Sequence, residues 1–159
     1  MIKEVRIDHR LVHGQVAFTW TKFLGATRII VIDNKAAHDD LQKMAINMAK
    51  PQGVKLNIFS VEEALSKMPK VEKLSDVIFM VFGNTKDCAD FVEAYPKLPV
   101  INYGGITKKE GSAHVFEVVY LNPSELEDTK RILQHGTKVV MQQLPTTKRE
   151  VLDVDSIKF

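Results

Sequence analysis

Short runs of β-branched and apolar residues recur along this chain with segments of helical spacing between them, and that alternation constrains the fold more than any other feature. The runs are Val5–Ile7, Arg28–Ile32, Val54–Phe59, Val77–Phe82, Pro99–Asn102, Val115–Leu121 and Lys138–Leu144. Val16, Trp20 and Phe23 mark one face of a first helix, and Leu41, Met44, Ala45 and Met48 mark one face of a second. Pro51 ends the second, because proline lacks the N–H that a continuing helix needs. Parallel strands need long crossovers, and helices supply them. The expectation is an α/β fold, single-domain over residues 1–159, with a mostly parallel sheet of about seven strands and helices on both faces. The run VIFMVF is apolar throughout, as a central strand covered on both faces should be.

Local signals sharpen the boundaries. Ser60 with Glu63 and Ser124 with Glu127 read as capping boxes, and Asn84 or Thr85 caps a helix containing Asp90 and Tyr95. Gly136 closes the helix that begins near Ser124. The stretch Gly104–His114 is too short for a helical crossover, so a neighbouring strand is expected to be antiparallel or reached by a loop. The tail from Thr146 to Phe159 is expected to form a short helix and then an extended end.

Composition removes several classes of function. A formal net charge of +2, with the basic residues dispersed, argues against a nucleic-acid surface. One cysteine, Cys88, rules out a disulfide within the chain and suits a reducing compartment. MIKEVRI has no apolar signal core, and no apolar stretch approaches the ~20 residues of a membrane span, so a cytoplasmic location is expected. Neither GxGxxG nor a P-loop is present, and no nucleotide or other cofactor is expected.

Ligands of open α/β sheets bind where strand C-termini meet helix N-termini. Asp8–Gln15, Asp33–His38, Phe82–Asp87 and Asn102–Thr107 fall at such joints. The first, within RIDHRLVHGQV, carries the most chemistry. His13 directly precedes the first turn of a helix, whose free N–H groups and positive dipole end attract anions. That positive field favours a ring with a lone pair free for attack. A phosphoryl group placed there meets the Gly14 and Gln15 amides, and Gly14 has no Cβ to obstruct the approach. Arg10 adds a planar fork of donors matched to phosphate, and Asp8 is placed to orient Arg10 or His13. Two readings remain open from these residues: a phosphoryl carrier with His13 as nucleophile, and a regulatory module that senses phosphate in the same pocket.

Other candidates carry less. His9 and His13 are four apart, but the segment reads as loop, lacks the Glu of HExxH and needs a third ligand; His38 with Asp39 and Asp40 reads as a solvated helix start. No metal is expected. Asn84 and Thr85 are helix caps with a second possible role on phosphate. Gly104 and Gly105 read as a tight turn that could also offer backbone donors near His13. His114 and His135 have no accompanying constellation.

Asp8, Arg10, Leu11, Val12, His13, Gly14, Gln15 and Val16 resemble the IDxRLxHGQV signature of the IIB subunits of the mannose/fructose/sorbose family of the bacterial sugar phosphotransferase system. The likeness continues through WTKFLGATRIIVIDN, KMAINMAKPQGVKLNIFSVEEA, VFGNTKD and INYGGI, almost the whole chain. It implies a seven-stranded sheet with one antiparallel strand. It also implies a carrier phosphorylated at Nδ1 of His13, with Arg10 as the loop arginine, fed by a IIA subunit or domain and delivering to a sugar at the membrane IIC–IID permease. Two positions depart from the family pattern: His9, where many relatives carry a second acidic residue, and Gly83, where relatives often have arginine. The sugar is not written in the sequence, and monomer and homo-oligomer are equally compatible with it.

Overall fold

The alternation read from the sequence becomes a layered α/β domain in the computed structural model, which describes residues 1–159. In chain order the elements are β1 (Ile2–Asp8), α1 (Gly14–Leu24), β2 (Arg28–Ile32), α2 (Asn34–Ala37), α3 (Asp40–Ala49), β3 (Lys55–Phe59), α4 (Val61–Val71), β4 (Ile78–Phe82) and α5 (Thr85–Ala94). They continue with β5 (Val100–Gly105), β6 (Ala113–Phe116), β7 (Val119–Leu121), α6 (Pro123–Gln134), β8 (Lys138–Met141) and β9 (Glu150–Val151), followed by a 3₁₀ turn at Val154–Ser156. The main sheet runs β3-β2-β4-β1-β5-β8-β9, with every pair parallel except β8–β9.

Alternating strand side chains feed two cores. Ile30, Ile32, Met80 and Phe82 pack with α4, α5 and α6, whereas Ile29, Val31, Phe79 and Val81 pack with α1, α2 and α3. No helix is long and apolar enough to cross a membrane.

The sheet has the expected width, but its last strand comes from elsewhere in the chain. Val115–Leu121 does not join it; the segment doubles back at Glu117 as an antiparallel β6–β7 hairpin. The connection from β5 is too short for a helical crossover, so the chain can only turn or loop there. The antiparallel strand of the main sheet is instead β9, from the tail, which therefore runs as strand and then 3₁₀ turn rather than helix and then extended end. Donors and acceptors on the free edge of β8 draw the tail in: Leu152 donates its N–H to the Val139 carbonyl at 3.0 Å and buries its side chain.

Two helical faces also differ from expectation. In α1 the buried face is Ala17, Trp20, Thr21 and Leu24, while Phe23 is exposed. In α3 the stripe of Leu41, Met44, Ala45 and Met48 faces outward, and Ile46 alone is buried. Periodicity reports that a stripe exists, and the packing of the chain decides which way it points.

Cap chemistry holds at Ser60, where the Glu63 N–H donates to Oγ at 3.1 Å and the Glu63 carboxylate accepts from the Ser60 N–H. Asn84 caps α5, and Gly136 takes a left-handed φ of 83° just past α6. The box at the start of α6 lies two residues upstream of Ser124, at Asn122 and Glu125. Pro123 explains the shift: its fixed φ suits the first helical position, so the cap is the residue before it. Asn122→Ala should cost about 1 kcal/mol in a denaturant melt, and Ser124→Ala should leave the midpoint unchanged.

Candidate active site

β1 lies at the centre of the sheet, between β4 and β5. Its crossover runs toward β2 on one side, while β5 connects toward β8 on the other. The β1–β5 joint is therefore a topological switch point, where open sheets bind ligands. The loop from Asp8 to His13 sits on this joint. His9 donates its N–H to the Gly105 carbonyl and Leu11 to the Asp8 carbonyl, both at 2.9 Å.

Two buried side chains anchor that loop, Leu11 and Val12, while His9, Arg10, His13, Gly14 and Gln15 are exposed. Leu11 takes a left-handed φ of 58°, a costly conformation for a residue with a branched side chain, and it is held there by burial in the α1–α3 core. His13 is the N-cap residue of α1, with extended backbone, and its side chain makes no capping hydrogen bond. The imidazole is thus free at the positive end of a helix that has no acidic residue in its first turn. Gly14 adopts φ 57°, which glycine takes without strain.

Asp8 is the hub beneath the loop. One carboxylate oxygen accepts from the Arg10 N–H at 3.0 Å and from Arg10 Nε at 3.4 Å, with His9 Nδ1 3.9 Å away. The other oxygen faces Arg6 Nη2 at 3.6 Å. The structure thus links Asp8 to Arg10, one of the two alternatives open in the sequence.

Arg6 is the residue that sequence reasoning passed over. The signal was present: a charge between Val5 and Ile7 in the middle of a central strand. Its guanidinium is buried, donates from Nη1 to the Gln142 carbonyl at 2.9 Å and lies 5.4 Å from the centre of the Trp20 ring. Burial lowers its pKa, against the opposing pull of Asp8 and Glu4.

Gly104 and Gly105 do not form a tight turn; they are the last residues of β5 and both are buried. A Cβ at Gly104 would overlap the Arg6 guanidinium, and one at Gly105 would crowd the Asp8 carboxylate. Gly105 presents its carbonyl to the loop, as the acceptor of the His9 N–H.

On the β4 side, Asn84 Oδ1 accepts from the Asp87 N–H at 2.8 Å, and Nδ2 donates to Asp87 at 3.1 Å and to Asp33 at 3.4 Å. Thr85 is buried and donates its hydroxyl to Asp128 at 2.8 Å. Both side chains are therefore engaged within the fold. A Cβ at Gly83 would overlap the Asp33 carboxylate and press on Leu11, so an arginine there would require Asp33 to move. His38 is exposed, with Nδ1 against the Asn34 carbonyl, and Asp39 caps α3.

An exposed histidine at a helix start, on the same loop as an exposed arginine, gives this open α/β sheet a candidate site suited to an anion. The family described as the sorbose subfamily IIB component of the phosphotransferase system matches residues 2–157. The sorbose-specific EIIB component of Lacticaseibacillus casei is 30% identical over 146 residues, covering 92% of this chain and 89% of the relative. The mannose-specific EIIAB component of Escherichia coli K12 is 28% identical, and this chain spans 95% of itself but 47% of that longer protein. Among solved structures, the IIBSor domain of the sorbose permease from Klebsiella pneumoniae superposes with a TM-score of 0.86 at 26% identity, over 94% of this chain and 91% of that one. The chain belongs to the sorbose subfamily of phosphotransferase-system IIB components.

Proposed function

We propose that this protein is a cytoplasmic phosphoryl carrier in which Nδ1 of His13 is the acceptor. A phosphohistidine on a IIA partner donates: its N–P bond breaks as a bond from His13 Nδ1 to phosphorus forms in line. In the second half-reaction the N–P bond on His13 breaks as a sugar hydroxyl, held at a IIC–IID permease, bonds to phosphorus and gives up its proton, which balances the charge left on the departing imidazole ring. The EIIAB name of the mannose-specific relative, with IIA and IIB in one chain, supports a IIA donor for this IIB.

The single observation behind this reading is the free His13 imidazole at the N-terminus of α1. Arg10 supplies two-pronged donors to the transferring group, and the first amides of α1, at Gly14 and Gln15, receive its charge. Asp8 orients Arg10 through the contacts on its backbone and Nε. Asn84, Thr85, Gly104 and Gly105 act in this reading by shaping the edge around the loop, since their side chains are engaged or their places filled. No metal or diffusible cofactor enters the scheme, and docking with each partner is transient and small in area.

Incubation with a phosphoenolpyruvate-driven donor chain and a cognate IIA, followed by phosphorus NMR, tests the proposal. An acid-labile phosphohistidine signal is expected; none, with a verified active donor, overturns it. Arg10→Ala is expected to slow acceptance about 10- to 100-fold, the loss of one or two charge-assisted hydrogen bonds in the transition state, with an unchanged circular dichroism spectrum.

A further inference from the structure

Arg6 is held rigidly and yet left partly unpartnered. Trp20 covers its guanidinium, and the indole is itself fixed by Nε1 donating to the Gln143 carbonyl at 2.8 Å. Gly104 leaves the room that the guanidinium occupies. Nη1 has its acceptor in the Gln142 carbonyl, while Nε and Nη2 have none, although the residue is only 2% exposed. Buried donors without acceptors are costly, and native structures rarely keep them without a reason.

The nearest anion is Asp8. Its Oδ2 lies 3.6 Å from Arg6 Nη2, within ion-pair range but too long for a hydrogen bond. Its Oδ1 is drawn the other way, onto the Arg10 N–H at 3.0 Å and Arg10 Nε at 3.4 Å. One buried carboxylate therefore stands between two guanidinium groups, one buried and one at the surface; its one guanidinium hydrogen bond comes from the surface one, beside a second bond from the Arg10 backbone N–H.

We propose that Arg6 is a positioning residue whose open donors take over the Asp8 carboxylate when the Arg10 side chain turns to the phosphoryl group on His13. The proposal rests on the reading of His13 as the phosphoryl acceptor. Without Arg6, release of the Arg10 side chain would leave Asp8 a buried carboxylate with the Arg10 backbone N–H but no guanidinium to offset its charge, and that penalty would hold Arg10 back from the phosphoryl group. With Arg6 waiting beside it, a small rotation of the carboxylate exchanges one guanidinium for the other.

The test uses the full chain labelled with ¹⁵N-arginine, compared before and after phosphorylation by the donor chain. Phosphorylation should shift the Arg6 Nε–H or Nη resonances downfield and slow their exchange with water. Arg6→Lys keeps the charge without the fork; it should lower the turnover of phosphoryl acceptance about tenfold, one charge-assisted hydrogen bond's worth, with the KM for the donor within about twofold of wild type. Phosphorylation on His13 with the Arg6 resonances unmoved would overturn the exchange and leave the carrier reading standing. A wild-type chain that takes up no phosphoryl group would overturn both. If Arg6→Lys does not fold, the resonances of the wild-type chain still decide.

Discussion

His13→Ala is expected to accept no phosphoryl group from an active donor while melting with the wild-type protein. The side chain is exposed and makes no capping hydrogen bond, so its removal should change stability by less than about 0.5 kcal/mol. The chemistry should respond very differently. A nucleophile is not partly replaced by its surroundings, and uptake should fall at least ~1,000-fold. His9 is the only other imidazole on the loop, four residues upstream, with its Nδ1 beside Asp8 rather than at the helix start. Residual phosphohistidine in the His13 variant, lost again in a His9–His13 double variant, would move the acceptor to His9.

Gly104→Ala should be the most damaging of the glycine substitutions at this edge. The added methyl would overlap the Arg6 guanidinium, which is walled in by Trp20 and tied to the Gln142 carbonyl. Accommodating it means overpacking the sheet or pushing a buried charge away from Asp8, and the expected cost is about 3 kcal/mol. For a chain of this length that corresponds to a fall in Tm of roughly 10 °C. Gly105→Ala is the control: its Cβ would stand 3.1 Å from Asp8 Oδ1, a crowding that a small shift relieves. A Gly104→Ala protein that melts within about 2 °C of wild type would show that Arg6 is not confined as described.

Much of this architecture is visible in local patterns because the physics behind them is local. The alternation of strand and helix, the Ser60–Glu63 box and the placement of His13 at a strand-to-helix joint each depend on residues within a few positions of one another. The Asn122–Glu125 box was equally local but was masked by the competing Ser124–Glu127 pair, and only the weight of Pro123 distinguishes them. The outward stripe of Leu41, Met44 and Met48 shows the limit: periodicity has no sign, so a face can be found without knowing what it meets.

By itself the sequence determined the class of fold and placed His13 at a strand-to-helix joint, because strand and helix periods and the residue that precedes a helix are short-range properties. Tertiary structure alone decided that the tail supplies the antiparallel strand, that Gly104 and Gly105 are spaces rather than turns, and that Arg6 underlies Asp8. Those features join residues far apart in the chain, Arg6 with Gln142 across 136 positions and Asn102 with Gln142 across 40. Such pairs meet only when strands align in one sheet, and it is the register of β1, β5 and β8 that brings them together.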